Sequence, residues 1–133
     1  YWALLSLADT ALVFQTSRLF PGIPEYFNAD GRGMYHYLTG AASWYMLTVI
    51  TEMFGVHGEG GDLVITPKLV REQFDERGEA AIEFSFAGKQ FHAVIVNPAG
   101  KDFGAYRAPR TVLSREKINS LPESGNTIRV ELT

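Results

Sequence analysis

The chain has 133 residues, 46% of them hydrophobic, a formal net charge of −3 and no cysteine. That length allows one substantial core, in one domain or in parts of two, and the missing cysteines exclude disulfides and thiolate metal sites. No Lys/Arg block or basic stripe interleaved with aromatics accompanies the weak negative charge, which argues against nucleic acid and gives no pull toward an anionic membrane. The longest apolar stretches, around 4–14 and 44–54, are short and broken by Ser, Thr, Asp and Glu, so neither reads as a membrane span. No basic segment leading into an apolar one opens the chain, and a cytoplasmic location is expected.

The chain begins already inside a helical pattern, which points to a piece of a longer protein. Leu4, Leu5, Ala8, Ala11, Leu12 and Phe14 recur at helical spacing and predict a first helix running to about Ser17 or Phe20. The PGIP run at 21–24 ends it, because proline cannot continue the backbone ladder and biases its predecessor away from helical angles. EYFNADGRGMYHY then reads as an ordered loop whose aromatic rings pack down.

A second helix is predicted over 41–54, with Thr39 or Gly40 at its head and Gly55 as a left-handed cap. It is apolar or small on nearly all faces. Such a helix belongs inside a larger helical assembly than two helices can build.

HGEGG at 57–61 reads as a glycine-rich joint, and DLVITP as a short strand closed by Pro67. In 79–86, Ala81, Glu83 and Ser85 alternate with Ile82, Phe84 and Phe86, and 91–96 makes the hairpin partner across Ala87-Gly88-Lys89. SREKINSLPE predicts one helical turn started by Ser114 and stopped by Pro122. Ile128, Val130 and Leu132 alternate with Arg129 and Glu131 in a closing strand. Residues 57–133 are therefore expected to form a small antiparallel sandwich, following helical residues 1–56.

The chemistry-bearing residues are sparse. His36, His57 and His92 lie far apart with no pair at ligand spacing, so no metal site is expected; His36, in the aromatic loop, is the one placed nearest a ligand. There is no G-x-S-x-G elbow, and GRG at 31–33 has neither the strand before it nor the helix directly after it that a dinucleotide fingerprint needs. Glu25, Asp30 and Glu52 are carboxylates that spacing does not bring together. The turn Thr39-Gly40-Ala41-Ala42-Ser43 differs in kind: a helix start offers unpaired N–H groups and partial positive charge to an anion, and Gly40 and Ala41 leave the backbone accessible. Arg32, Tyr35 and Tyr37 precede it, as suits a surface that handles sugar and phosphate. Cap and core packing explain the same residues without any ligand.

The run YLTGAASWYMLTVITEMFGVHGEGGDLVITPKLV, with PEYFNADGRG before it, resembles the C-terminal part of the glycoside hydrolase family 94 phosphorylases and of cyclic β-1,2-glucan synthase. The resemblance rests on a tryptophan-ending L-T-G-T/S-A-S-W turn (38–44 here), a helix ending in Phe54-Gly55, and G-x-L-x-I-x-P (61–67). It is strong over about 24–69 and weaker in the strands beyond. GRGMYHYLTGAASWYMLT lies nearer the oligoglucan phosphorylase and cyclic glucan synthase side than cellobiose phosphorylase.

The resemblance implies a larger enzyme with an (α/α)6 barrel and a C-terminal β domain, to which this chain contributes 1–56 as the last barrel helices and 57–133 as the β-sandwich. Such enzymes cleave β-glucosidic bonds of gluco-oligosaccharides or disaccharides with inorganic phosphate as co-substrate, inverting the anomeric centre to give α-glucose 1-phosphate. The resemblance implies no metal or organic cofactor, and dimers are common in the family. It places the turn Thr39-Gly40-Ala41, with Ser43, at the phosphate subsite; Arg32, Tyr35, His36 and Tyr37 of the preceding loop are the residues expected toward the substrate. It puts the general-acid aspartate and the phosphate-binding arginines and histidine outside this chain, so no catalytic residue is assigned here and the isolated chain is expected to be inactive. Where the family often carries a Thr or Ser hydroxyl after the glycine, this sequence has Ala41. The competing expectation is a non-catalytic carbohydrate-binding or architectural β domain.

Overall fold

The computed structural model describes residues 15, 18, 24–30, 32–35 and 40–133. The first predicted helix lies outside them, apart from Gln15, which is helical, and Arg18. The architecture is mixed and mostly β, and the chain divides into two compact units, residues 1–47 and 48–133. Among the described residues no helix is long and apolar enough to cross a membrane.

In the first unit the expected loop contains a small antiparallel hairpin. Strands β1 (Tyr26–Phe27) and β2 (Gly33–Met34) pair with Tyr26 opposite Met34 and Phe27 opposite Gly33. Asn28 builds the tip: its Oδ1 accepts from the backbone N–H of Asp30 at 3.1 Å and of Arg32 at 2.8 Å, the local side-chain bonding that suits Asn to turns. Helix α1 (Gly40–Thr48) follows, and its last turn widens into a π-helical segment, Val49–Met53, closed by Phe54 N–H donating to Val49 O at 3.0 Å. The helix signals at 41–54 are thus realised, with a wider final turn than periodicity alone conveys.

Gly55 ends this segment at φ +67°, the left-handed conformation expected of it. Its carbonyl accepts from Thr66 N–H at 3.1 Å, while Lys68 N–H donates to Met53 O at 2.8 Å and the Lys68 ammonium meets Glu52 at 3.0 Å. The end of the helical segment is thereby tied to Thr66 and Lys68.

The second unit holds two three-stranded sheets. β3 (Val56–Glu59), β4 (Asp62–Ile65) and β7 (Thr111–Leu113) form one, in the order β3-β4-β7; β5 (Glu79–Phe86), β6 (Lys89–Val96) and β8 (Asn126–Glu131) form the other, in the order β5-β6-β8. This arrangement is compatible with a β-sandwich. HGEGG is no mere joint: it supplies most of β3 and the Gly60-Gly61 turn, which places Glu59 opposite Asp62. In β5 and β6, Phe86 faces Lys89 across Ala87-Gly88, both at positive φ (48° and 74°), the tight two-residue turn that matches strand twist.

The purely antiparallel expectation is corrected by β8, which runs parallel to β6 with Phe91 opposite Asn126 and Val96 opposite Glu131. The physical reason is the connection: the long excursion through β7 and helix α2 (Arg115–Asn119) lets the chain re-enter the sheet in the same direction, which a tight turn cannot do. Beyond β8, Leu132 N–H donates to Val96 O at 2.8 Å, and Thr133 exchanges two backbone bonds with Arg107.

Alternation explains the core. Ala80 and Phe84 on β5, Phe91, Ala93 and Ile95 on β6, and Val130 and Leu132 at the end of the chain are buried, while Ala81, Glu83, Ser85, Thr127, Arg129 and Glu131 face out. Leu63, Val64 and Ile65 are consecutive and all buried, the pattern of a central strand covered on both faces. Helix α2 starts as its sequence predicts, with Ser114 Oγ accepting from Lys117 N–H at 3.3 Å; Asp62 also accepts from Arg115 N–H at 2.8 Å, and Ile118 is buried. Each fully buried aliphatic side chain contributes about 1.5–3 kcal/mol.

Two carboxyls sit below their ordinary range. Glu79 N–H, donating to Asp75 at 2.8 Å, is the main cause at Asp75, followed by the backbone N–H and guanidinium of Arg77. At Glu59 the main cause is the hydrogen bond from His57 Nε2 at 2.9 Å, reinforced by Arg110. A carboxyl lowered in the folded state stabilises it above the unfolded pKa, and that contribution fades as pH falls through the folded value. We therefore expect urea midpoints to drop below about pH 4.5, the ordinary value for Glu59, and the gap between wild type and Asp75→Asn to narrow progressively as pH falls below 3.8, the ordinary value for Asp75. A gap that stays constant over that range would contradict the assignment.

Candidate functional site

The head of α1 is organised by a residue far from it in sequence. Ala41 N–H, one of the donors that a helix start leaves without an internal partner, donates to Glu25 Oε1 at 2.8 Å. Glu25 is positioned by the hairpin, its own N–H donating to Met34 O at 3.1 Å. The carboxylate lies over Gly40, where a Cβ would stand 3.2 Å from both carboxylate oxygens. Glycine at 40 therefore admits the anion, and the helix dipole favours it.

Of the residues assigned to the phosphate subsite, Gly40 is exposed, Ala41 is half-buried and presents its N–H, and Ser43 is exposed on the next part of the turn; Thr39 lies outside the described residues. Of those assigned to the substrate, Arg32 is exposed and its backbone closes the hairpin tip. Tyr35 is exposed, at φ 55°, with its ring 5.1 Å from that of Tyr26 and tilted by 34°. His36 and Tyr37 lie outside the described residues. The structure thus brings Gly40 and Ala41 together with Glu25, and pairs Tyr35 with Tyr26.

Neither Glu25 nor Tyr26 is among the residues that the sequence assigns to this site. Helix-capping signals operate over about three residues, and Glu25 stands sixteen before Ala41. Only the hairpin, which folds 24–35 back on itself, could have announced it. The other two histidines serve the β unit: His57 bridges Gly55 O at 3.0 Å and Glu59 at 2.9 Å, and His92 stands 3.6 Å from Glu83.

Chemically, the helix head is a backbone N–H donor site engaged by a carboxylate, with a glycine whose missing side chain makes room for it. No residue of α1 is buried: Trp44 is 70% exposed, and Met46 and Leu47 are also exposed. Neither a protein-family model nor a curated protein matches the chain.

Proposed function

We propose that this chain is the C-terminal portion of an inverting glycoside phosphorylase that cleaves β-glucosidic bonds of gluco-oligosaccharides with inorganic phosphate, releasing α-glucose 1-phosphate. The observation that carries the reading is the carboxylate of Glu25 on Ala41 N–H above a side-chain-free Gly40: this helix head attracts and accommodates an anion. In the reaction, phosphate would meet the backbone at 40–41 and a hydroxyl from Thr39 or Ser43, since Ala41 brings no hydroxyl of its own. In this reading the Glu25 carboxylate marks the place of the anion, and the incoming phosphate takes its place on Ala41 N–H, because two anions cannot share that donor. The exposed apolar face of α1 supports the same reading from another side, because an apolar helix left in water costs free energy that packing among barrel helices recovers. The acid that protonates the leaving oxygen belongs to that barrel, as do the remaining phosphate ligands.

The test is to incubate the full-length protein with β-1,2-, β-1,3- and β-1,4-linked glucan oligosaccharides and phosphate. Sugar 1-phosphate should appear with at least one linkage, in the α configuration by 31P and 1H NMR. Failure with every β-linked glucan and disaccharide would sink the reading. The rival, a binding or architectural β domain without chemistry, gains support if the full-length protein binds such glucans but never transfers a glucosyl group.

A further inference from the structure

The β unit carries a cleft of about 350 Å3 that the reading above does not use, lined by Arg71, Phe74, Asp75, Arg77, Asn97 and Pro98 among others. Asn97, Pro98 and Gly100 form one side of it, at the start of the segment 97–106, which is held internally by a dense set of bonds. Asn97 donates from Nδ2 to Lys101 O at 2.8 Å and accepts Lys101 N–H at 3.1 Å, Gly100 N–H returns to Asn97 O, and Tyr106 OH donates to Leu69 O at 2.7 Å. Asp102 fastens the segment to the cleft, its Oδ1 accepting both Arg71 N–H at 3.1 Å and Phe103 N–H at 2.8 Å.

This well-anchored segment holds Phe103 out in water. The ring is 55% exposed, the only large exposed aromatic among the described residues of the β unit, and it is braced edge-on by Tyr106 with centroids 6.2 Å apart. A loop that is rigid, exposes an aromatic and adjoins a cleft is the usual form of a preorganised binding surface. The charges select the ligand. Arg71 and Arg77 are balanced by Asp75 and Glu76, so the cleft offers paired donors and acceptors without a net pull on an anion. Arg71 is among the residues lining the cleft, and among the described residues it makes no ion pair, whereas Arg77 is paired with Asp75. Hydroxyl-rich ligands with an apolar face match that combination: ring C–H groups lie on the aromatic, and hydroxyls bridge guanidinium and carboxylate.

We propose that Phe103 and the adjoining Arg71–Asn97 cleft form a docking site for a neutral β-linked gluco-oligosaccharide, in the β unit and outside the helix-head site. The choice of β-glucan rests on the function proposed above; the site itself rests on the cleft and the exposed ring. A segment of glucan held there would be retained between catalytic events without taking part in the chemistry.

The experiment titrates the full chain, observed by 15N–1H NMR, with β-1,2-, β-1,3- and β-1,4-linked glucotetraoses and with α-1,4-linked glucotetraose as the contrast. Saturable shifts at residues 71 and 97–103 with at least one β-linked tetraose are expected, and Phe103→Ala should weaken that binding at least about fivefold while leaving the remaining spectrum in place. Absence of shifts with every β-linked tetraose, unchanged affinity in Phe103→Ala, or equal response to the α-linked tetraose would overturn the proposal. Phosphate is absent from this titration, so its outcome is independent of whether the full-length protein performs phosphorolysis.

Discussion

Gly55→Ala is expected to destabilise the β unit by about 3–5 kcal/mol, at the upper end of what single substitutions do. At φ +67° any side chain is strained, and a Cβ on Gly55 would stand 2.0 Å from Thr66 O and 2.4 Å from its carbonyl carbon. Both obstacles are backbone, so relief requires parting Thr66 from Gly55 and giving up the Thr66 N–H bond to Gly55 O. The neighbouring bond from Lys68 N–H to Met53 O and the burial of Met53, Phe54 and Val56 depend on the same approach. Against a total stability of order 5–15 kcal/mol, such a loss removes a large fraction of the margin. Gly88→Ala separates the two contributions: φ is +74° there, but nothing lies within 4 Å of the new Cβ, and about 1–2 kcal/mol is expected. Urea melts of the two variants measure the contrast, and equal losses would show that conformation alone, without the Thr66 contact, governs Gly55.

Much of this unit is legible in the sequence where local rules operate. The β5–β6 hairpin follows from alternation, α2 from the Ser114 cap, and the left-handed Gly55 from its place at the end of an apolar helix. The failures share a cause, which is dependence on partners distant along the chain. Glycines at 60 and 61 read as a joint because β3 is recognisable only by the strand it pairs with, and β4 supplies that partner. The direction of β8 depends on the route of the chain between 97 and 125, which alternation does not encode. Consecutive burial of Leu63, Val64 and Ile65 likewise reflects neighbours on both faces.

The candidate site divides along the same line. Small residues at a helix head and the anion-seeking character of its N–H groups are local properties, and the turn at 39–43 is readable for that reason. Glu25 is not, because only the β1–β2 hairpin carries it to Ala41. The exposure of Trp44, Met46 and Leu47 turns the apolarity of the helix into a physical statement: no residue of α1 is buried, although its composition suits a buried helix.

Gly40→Val carries the second large effect, on phosphate rather than on stability. A Cβ at 40 would already lie 3.2 Å from both oxygens of Glu25, and the two methyl groups of valine extend further into that space. They would displace an anion from Ala41 N–H, whether the Glu25 carboxylate or a phosphate, and a hydrogen bond to a charged group contributes about 1.5–3 kcal/mol. The expected result is a rise of about 10- to 100-fold in the phosphate KM, with the KM for oligosaccharide changed far less. Gly40→Ala should move in the same direction by a smaller factor, and it keeps the comparison informative if the valine variant folds poorly. The decisive measurement is therefore the phosphate KM and the oligosaccharide KM of the full-length protein, wild type beside Gly40→Ala and Gly40→Val. A selective, graded loss of phosphate affinity is the predicted result, and an unchanged phosphate KM in both folded variants would contradict a phosphate-binding role for the helix head.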